Sequence, residues 1–468
     1  MIFYGDDSPI AALATPPGQG ALAVIRTSGK NAIELLADHF SAPQKLKAAA
    51  GNTVVYGWML GKNRVRLDEA LVSVYRAPKS YTGEDGADIS CHGGYAVVQA
   101  ALETLHEAGF RDALPGEFTF RAFMNGKLDL TRAESVMEIV SAKTGKAHAG
   151  AVRRLSGDLE SEIRAIKEKL VRVLAGVELF LDYSEDEFME VGADERSGML
   201  PERELAREVL ADLRELAASF RIEKLYQEGA LVVIAGRPNA GKSSLFNRLV
   251  KEDRALVAES PGTTRDWLEA WIAVEGIPVR LADTAGIWDS SDAVEKAGIK
   301  RGIELIKYAD VVLYIVDATV GLAGEDAQFL CSGDIEGKPL IMVWNKSDAA
   351  PEMPELPADL PAGVERVSAK TGVGVLSLTA RIAEALAGRN AGAERGDRIG
   401  VASARQKALI DRAVEQVADA LNMADKGETL DIIAPSLREA VDCLGEITGE
   451  VSTADILEVM FGSFCVGK

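Results

Sequence analysis

The hydrophobic positions of this chain change their spacing several times, and each spacing predicts a different element. Between residues 155 and 181, apolar side chains recur at steps of four and three, which places them on one stripe of a long helix. They are Leu155, Leu159, Ile163, Ile166, Leu170, Leu174, Val177 and Leu181. A second helical run covers about 201–227, and the chain is again helical after Val401. Since a long helix cannot bury such a stripe alone, we expect these segments to need partner helices.

Continuous apolar runs replace this spacing in the middle of the chain. They are LVVIAG (231–236), VVLYIVD (311–317) and PLIMVWN (339–345). Runs of this kind are typical of strands that are buried on both faces. They alternate with helical stretches to about residue 388, which predicts an α/β domain with a mainly parallel sheet.

The first 118 residues mix shorter strand patterns with helices, which predicts an α+β module. The candidate strands are 21–29, 53–60 and 69–77, and 96–109 has helical periodicity with a glycine at its end. Because helical segments lie on both sides of the α/β block, we predict one helical domain with the α/β domain inserted in it. The expected fold class is therefore multidomain α/β and α. The predicted boundaries are 1–118, 119–228, 229–388 and 389–468.

Composition narrows the function classes. The chain has 468 residues, which suggests about three domains, and 52 Lys+Arg against 72 Asp+Glu give a net charge of −20. This charge argues against coating nucleic acid or anionic membrane by bulk attraction, although it allows a local basic site. No apolar run reaches transmembrane length and the opening residues do not resemble a signal peptide. The cysteines fit no zinc or disulfide spacing, so a reducing cytoplasm is the expected compartment; they are Cys91, Cys331, Cys443 and Cys465.

The motif GRPNAGKS (236–243) follows a buried strand and precedes a helix, which is the context of a phosphate-binding loop. Gly236 and Gly241 allow the backbone to curl so that amide N–H groups point at phosphate oxygens. The positive end of the following helix strengthens this site. We expect Lys242 to reach the terminal phosphates and the Ser243 hydroxyl to bind Mg²⁺.

Three further motifs follow in the expected order. DTAG (283–286) places Asp283 beside the Mg²⁺ shell and Gly286 at the γ-phosphate. NKSD (345–348) supplies Asp348, which can accept hydrogen bonds from the guanine N1–H and amine and so reject adenine. SAK (368–370) can present backbone N–H groups to the guanine oxygen. Together with the phosphate loop, these motifs resemble a Ras-like G domain and predict GTP binding. GTTRD (262–266) resembles a switch whose Thr264 completes the Mg²⁺ shell.

The residue that orients water in Ras-type enzymes is missing. A glutamine directly follows DTAG in those enzymes, whereas this chain has Ile287. Hydrolysis therefore needs another residue and another source of positive charge. Asn239 is either a loop-forming residue or a ligand of a monovalent cation beside the phosphates.

Blocks outside the G domain carry a more specific resemblance. They are 14–29, 79–94, 114–135 and 446–468, the last of which ends in CVGK. Over nearly its full length the chain resembles the MnmE (TrmE) family of tRNA modification GTPases. The resemblance implies a folate-binding and dimerising N-terminal domain, a helical domain made of two distant segments, and an inserted Ras-like G domain.

The resemblance also implies a reaction and its partners. With the FAD-dependent protein MnmG, in a heterotetramer or larger complex, such homodimers add a carboxymethylaminomethyl or aminomethyl group to carbon 5 of the wobble uridine of certain tRNAs. The bridging carbon comes from a tetrahydrofolate derivative, either 5-formyl- or methylene-tetrahydrofolate. Hydrolysis is K⁺-stimulated through G-domain dimerisation.

By the same resemblance, Glu295 is the catalytic residue that positions the attacking water. The alternative is that Glu295 is a surface residue of a helix without a catalytic role. Lys242 is also expected to act in catalysis. Ser243 and Thr264 are the Mg²⁺ ligands. The implied K⁺ ligands are Asn239, Ala258, Ser260 and Thr263. The full set of expected GTP contacts is Asn239, Ala240, Gly241, Lys242, Ser243, Ser244, Ala258, Glu259, Ser260, Pro261, Gly262, Thr263, Asp283, Thr284, Ala285, Gly286, Asn345, Lys346, Asp348, Ser368, Ala369 and Lys370.

Four residues match the family's folate positions, namely Arg26, Asp88, Lys127 and Lys468. Asp88 is one methylene shorter than the glutamate expected there, and a surface salt bridge is the alternative for Arg26 and Lys127. Cys465 is implied to be a functional thiol. The competing function is a regulatory or ribosome-assembly GTPase switch without modification chemistry of its own, which the G domain alone leaves open.

Overall fold

The computed structural model describes residues 6–182, 200–252, 268–283, 304–330, 335, 337–350, 364–388, 398–451 and 454–468. The chain divides into two compact units. The first unit consists of Met1–Met137, Arg154–Leu210 and Arg412–Lys468, and the second of Glu138–Arg153 and Ala211–Asp411. Each unit is therefore built from segments that are distant in sequence.

The helices with assigned bounds are, in chain order, α1 (Ala32–Asp38), α2 (Pro43–Ala48), α3 (Tyr95–Glu107), α4 (Glu117–Met124), α5 (Leu130–Ser141), α6 (Gly145–Ser156), α7 (Asp158–Asp182), α8 (Arg203–Glu228), α9 (Lys242–Glu252), α10 (Gly324–Leu330), α11 (Val375–Ala387), α12 (Ala404–Asp425), α13 (Leu430–Thr448) and α14 (Ala454–Gly462). The helix predicted at 96–109 is confirmed as α3, and it ends before Gly109, which has a φ of 105°.

The first unit contains a six-stranded sheet with the order β3-β4-β5-β2-β1-β6. Its strands are β1 (Ile10–Leu13), β2 (Gly20–Ser28), β3 (Thr53–Leu60), β4 (Arg66–Tyr75), β5 (Gly86–Gly93) and β6 (Arg111–Asp112). The three strands predicted in this region are thus confirmed. β2 and β5 pair antiparallel and place Arg26 directly opposite Asp88.

Alternate residues of the sheet form the core of this unit. Side chains of successive strand residues point to opposite faces, and one face packs against α1 and α3. The buried cluster between them includes Ile25, Ile33, Phe40, Val72, Val74, Ile89 and Leu105. The other face carries Arg26 and Asp88, so the charged pair lies on the side of the sheet away from this core.

The hydrophobic stripe that predicted one long helix is divided between two helices. Gly157 has a φ of 97°, α6 ends just before it and α7 begins just after it, so Leu155 belongs to α6. Glycine adopts this left-handed conformation without the clash that a Cβ would cause. Within α7 the stripe packs against α13, which confirms the need for a partner helix. Its buried members are Leu159, Ile163, Ile166, Leu170 and Val177, whereas Leu181 is exposed.

The second unit contains the predicted α/β sheet, in the order β12-β11-β10-β7-β9-β8. Its strands are β7 (Ala230–Gly236), β8 (Leu268–Val274), β9 (Ile277–Asp283), β10 (Val311–Asp317), β11 (Leu340–Asn345) and β12 (Val364–Arg366). All pairs are parallel except β8–β9. The mainly parallel sheet is confirmed. Consecutive residues of β7 are buried in two different clusters, as the continuous apolar run predicted.

Residues 138–153 belong to the second unit because they contact the turn between β8 and β9. The Thr144 hydroxyl donates a 2.7 Å hydrogen bond to the carbonyl of Gly276. The Lys143 ammonium lies 4.2 Å from the centre of the Trp271 ring, a distance at which cation–π attraction is favourable.

In the part of the chain that the structure describes, no helix is long and apolar enough to cross a membrane.

Candidate functional site

The phosphate loop lies between β7 and α9, and its shape depends on two glycines. Gly236 has a φ of 137°, and a Cβ there would lie 2.3 Å from the carbonyl oxygen of Ile315. Gly241 has a φ of 92°, and its Cβ would lie 2.2 Å from the side-chain nitrogen of Asn345. Only glycine fits such contacts without displacing a neighbour. Asn239 has a φ of 64°, which asparagine tolerates better than most residues.

The first two residues of α9 carry the expected phosphate and metal chemistry. The Lys242 ammonium is buried and donates a 2.9 Å hydrogen bond to the carbonyl of Arg237, inside the loop. The Ser243 hydroxyl donates a 2.8 Å hydrogen bond to Asp283, which ends β9. The fold thus brings Ser243 and Asp283 together at the carboxyl end of the sheet, where α/β domains bind ligands.

The base-recognition motifs interlock with the phosphate loop. The Asn345 side chain is buried, donates to the carbonyl of Ala240 at 3.0 Å and accepts from the backbone N–H of Ala369 at 3.0 Å. Lys346 donates a 2.8 Å hydrogen bond to the carbonyl of Asn239 and a 2.6 Å one to Asp317. These bonds fix the loop and the guanine-binding segments relative to one another.

Asp348 is exposed, so its carboxylate can accept hydrogen bonds from a ligand. The Ser368 hydroxyl donates to its Oδ1 at 2.6 Å. This hydrogen bond lowers the pKa of the Asp348 carboxyl from its ordinary value, so the group is an anion at neutral pH. An anionic acceptor is what the N1–H and exocyclic amine of guanine require. Lys370 follows Ala369 directly in this segment.

Much of the predicted switch chemistry lies outside the described residues. This applies to Ala258, Glu259, Ser260, Pro261, Gly262, Thr263, Thr264, Thr284, Ala285, Gly286, Ile287 and Glu295. Of the predicted K⁺ ligands, the structure places Asn239, and of the Mg²⁺ ligands it places Ser243. Among the described residues, no group of three or more His, Cys, Asp or Glu side chains could hold a metal ion by itself.

A second group of predicted residues meets in the first unit. Arg26 forms an ion pair with Asp88 at 3.0 Å and donates to the carbonyl of Gly467 at 3.4 Å. Burial alone would lower the pKa of Arg26, but the hydrogen bond and charge of Asp88 raise it above its ordinary value. Both side chains are only partly exposed, 29% and 19%. Arg26 thus forms a salt bridge, as in the alternative reading of this residue, and the same cluster of side chains contacts the C-terminal segment.

Two aromatic rings complete the surroundings of Arg26, and the sequence reasoning did not single them out. The Arg26 guanidinium lies 6.0 Å from the centre of the Tyr81 ring and 5.9 Å from that of Phe118. Tyr75 donates a 3.4 Å hydrogen bond to Asp88. Ser73 is paired with Asp88 across β4 and β5, and Tyr75 lies two residues further along β4. Because alternate strand residues share one face of the sheet, this pairing indicates that Tyr75 lies near Asp88.

The last residues dock beside this pair. The backbone N–H of Phe118 donates to the carbonyl of Lys468 at 3.1 Å, and that of Gly116 to the carbonyl of Cys465 at 3.4 Å. The Cys465 side chain is exposed. Lys127 donates instead to the carbonyl of Pro78 at 2.9 Å. The structure therefore brings Arg26, Asp88 and the C-terminal segment together, while Lys127 bonds to the segment that leads to Tyr81.

A parallel-sheet domain with this phosphate loop, an acidic residue beside its serine and an NKSD–SAK pair is a GTP-binding G domain. The same chain carries an α+β sheet domain and a set of long helices, so it is a multidomain G-domain protein. Among curated relatives, the tRNA modification GTPase MnmE of Treponema denticola is 42% identical, with 99% of each chain covered. That of Symbiobacterium thermophilum is 40% identical over 99% of this chain and 100% of the relative.

Family models agree with these relatives. The model described as MnmE helical domain matches residues 130–465, and that described as GTP-binding protein TrmE N-terminus matches residues 9–127. Among solved structures, the G domain of the T. maritima FeoB iron transporter is 30% identical, covering 33% of this chain and 98% of that chain, with a TM-score of 0.27. On its full-length relatives and both family models, the chain belongs to the MnmE (TrmE) family of tRNA modification GTPases.

Proposed function

We propose that this chain uses GTP hydrolysis to drive modification of carbon 5 of the wobble uridine of tRNA, with an FAD-dependent MnmG partner and a tetrahydrofolate-derived carbon. The observation that carries the proposal is the meeting of Arg26, Asp88 and the carbonyl of Gly467 in a molecule that also has a G domain. A switch protein without chemistry of its own has no need of such a charged cluster outside its G domain.

The side chains of this cluster have the chemistry that a reduced folate requires. The pterin ring presents amines and a carbonyl oxygen, and a carboxylate with a guanidinium can bind both. The ring of Tyr81, which is 40% exposed, can cover one of its faces, whereas Phe118 is fully buried behind Arg26. We propose that Asp88 and Arg26 hold the pterin, and that Lys127 and Lys468 meet its remaining polar groups. We also propose the domain boundaries that the sequence predicts, with folate binding and homodimerisation in residues 1–118 and the G domain in residues 229–388.

The G domain is proposed to hydrolyse the GTP that drives this modification. In the proposed mechanism Lys242 leaves the Arg237 carbonyl for the terminal phosphates, and the amides of the loop bind the phosphate oxygens. The hard oxygens of Ser243 and Asp283, 2.8 Å apart, fit Mg²⁺, which when bound would neutralise phosphate charge. Thr264 is proposed to complete this shell, and Glu295 to position the attacking water.

Asn239 is proposed to hold K⁺ as G domains of two protomers meet. It is exposed at the outer edge of the loop, and its left-handed φ of 64° equally suits a purely loop-forming residue. Hydrolysis rates in K⁺ and in Na⁺ separate these roles, because Na⁺ is smaller and would fit the same oxygens poorly. Equal rates in both salts contradict the potassium site.

Folate binding is tested by titrating 5-formyltetrahydrofolate against the purified protein. Arg26→Ala should weaken binding by at least about tenfold, since a charge-assisted pair is lost. Asp88→Glu should retain binding. Arg66→Ala is the matched control and should bind folate normally, because Arg66 contacts the Trp58 ring and none of the proposed folate residues. Absence of folate binding to the unaltered protein would favour the regulatory GTPase switch.

The reaction itself is tested in cells. Deleting the gene should remove the carbon-5 substituent from wobble uridine, measured by mass spectrometry of tRNA nucleosides. Unchanged nucleosides contradict the proposal. Restoring the gene with Glu295→Ala should fail to restore modification, because the proposed reaction depends on hydrolysis, whereas Asp292→Ala, three residues earlier, should restore it.

A further inference from the structure

A buried carboxylate lies behind the phosphate loop, and no motif accounts for it. Asp326 is fully buried in the first turn of α10. Its Oδ1 accepts a 2.6 Å hydrogen bond from the Tyr314 hydroxyl and a 3.1 Å one from Nε of Arg237. Its Oδ2 accepts a 2.7 Å hydrogen bond from the backbone N–H of Ala323 and lies 2.9 Å from the same Nε. A buried charge is stable only with partners of this kind.

Arg237 connects this carboxylate to the nucleotide site. It is the residue after Gly236, and its Nη2 donates a 2.7 Å hydrogen bond to the carbonyl of Gly321. Its own carbonyl accepts the hydrogen bond from Lys242 at 2.9 Å. The side chain of Arg237 is thus fixed from behind the loop, while its backbone contacts the lysine that serves the phosphates.

The other supports of Asp326 are rigid. Tyr314 lies in the central strand β10 and is nearly fully buried. Its ring stacks on Phe329 of α10, with centroids 4.9 Å apart and planes inclined by 19°. Burial, then the hydrogen bond to Asp326, raises the pKa of the Tyr314 hydroxyl above its ordinary value, so it remains a donor at any physiological pH. Asp326 is therefore held in one place by the sheet and by α10.

We propose that Asp326 is a positioning residue for GTP hydrolysis, which acts through Arg237 to fix the curvature of the phosphate loop. The glycines make the curled conformation possible, but they do not select it. The ion pair of Asp326 with Arg237 selects it, because the loop cannot straighten without pulling a guanidinium away from a buried carboxylate. The loop amides and Lys242 are then oriented before the nucleotide arrives, which lowers the cost of binding.

The test is a double-mutant cycle on nucleotide affinity, which is measured with a fluorescent GDP analogue. Asp326→Asn keeps the shape but removes the charge, and Arg237→Gln removes its partner. Each should weaken GDP binding at least about tenfold and lower kcat/KM for GTP. The double variant should be no worse than the weaker-binding single variant, because both changes break the same connection.

Two variants separate positioning from stability. Tyr314→Phe removes one donor to Asp326, but the backbone N–H of Ala323 and the Arg237 guanidinium still hold the carboxylate. It should therefore lower the melting temperature and keep GDP affinity within about threefold. Glu325→Gln changes the exposed acid of the same turn and should alter neither quantity. If Asp326→Asn lowers the melting temperature but leaves GDP affinity and kcat/KM unchanged, the carboxylate is merely structural and the proposal is wrong.

Should Asp326→Asn fail to fold, Arg237 decides the matter, since its side chain is 23% exposed and tolerates replacement better. Arg237→Gln with at least about tenfold weaker GDP binding supports the proposal, and Arg237→Lys, which keeps the charge, should recover part of the loss. Unchanged binding in a folded Arg237→Gln protein overturns it.

Discussion

The geometry of Gly241 gives a sharp prediction for nucleotide binding. In Gly241→Ala the new Cβ would lie 2.2 Å from Nδ2 of Asn345, far inside van der Waals contact. The Asn345 amide cannot move freely, because its nitrogen donates to the carbonyl of Ala240 and its oxygen accepts from Ala369. The substitution therefore disturbs the phosphate loop and the guanine-binding segment together.

The magnitude can be worked from these contacts. A residue with a Cβ at a φ of 92° carries a backbone strain of about 1–3 kcal/mol. Displacing the Asn345 amide removes two buried hydrogen bonds, each contributing about 1 kcal/mol. The sum is about 3–5 kcal/mol. The free protein can relieve this cost by rearranging the loop, whereas GDP binding requires the curled loop, so the cost opposes binding. Since about 1.4 kcal/mol corresponds to a factor of ten, GDP affinity should fall by up to roughly 10² to 10³.

Fluorescence titration with a GDP analogue measures this loss directly. Gly324→Ala is the matched control in the same domain, because a Cβ there meets nothing within 4 Å, and its affinity should be unchanged. Thermal unfolding of both variants shows whether the domain is folded during the titration. A Gly241→Ala protein that binds GDP within about threefold of the unaltered chain would refute the steric reasoning.

Further predictions concern the first unit. Burial raises the pKa of the Cys91 thiol to about 11, so at pH 8 iodoacetamide should label the exposed Cys465 much faster, as peptide mass spectrometry would show; equal labelling contradicts this. The hydrogen bond to Asp68 raises the pKa of His92, so its contribution to stability is complete below the unfolded pKa of about 6.5 and is lost as pH rises through the folded value. An NMR titration should show this raised midpoint, and Asp68→Asn should lower it. Glu117 is fully buried between two arginines. Although burial acts to raise its pKa, hydrogen bonds from Arg111 and from the Leu114 backbone N–H, together with the charges of both arginines, hold it below the ordinary value. Its contribution to stability is therefore present above the unfolded pKa of about 4.3 and is lost as pH falls through the folded value. Glu117→Gln should destabilise the unit by about 3–5 kcal/mol in denaturant unfolding, and a loss under about 1 kcal/mol would contradict the burial argument.

The sequence predicted the G domain well because its signals are local. A buried parallel strand is a continuous apolar run, and the phosphate loop, Asp283 and Asn345 each follow such a strand directly. The ends of neighbouring parallel strands share one edge of the sheet. Ser243 follows β7 and Asp283 ends the neighbouring strand β9, which explains why the two side chains lie 2.8 Å apart.

Other features had no local signal. The helical stripe continued through Gly157, because periodicity does not register a left-handed φ at a single residue. The contact between Thr144 and Gly276 joins segments that carry no common motif. Asp326 was missed for the same reason, since a lone acid in a short helix is usually exposed and only its burial reveals the network.

The cluster around Arg26 could be predicted from the sequence only in part. Its residues were found by resemblance, and pairing of β2 with β5 explains why Arg26 and Asp88 meet. The rings of Tyr81 and Phe118 come from segments outside both strands, so strand pairing could not locate them.

The hydrogen bond from Arg26 to Gly467 has a consequence for how the chain is made. The two residues are 441 positions apart, and a ribosome that adds about 5–20 residues per second needs roughly 20–90 s to connect them. The second unit ends at Asp411, so it is fully synthesised before α13 and the segment around Gly467 have been made. At that point α7 still lacks α13, and Arg26 lacks its contact with Gly467. The apolar stripe of α7 is then exposed, and chaperone binding to nascent chains should concentrate on this part of the protein.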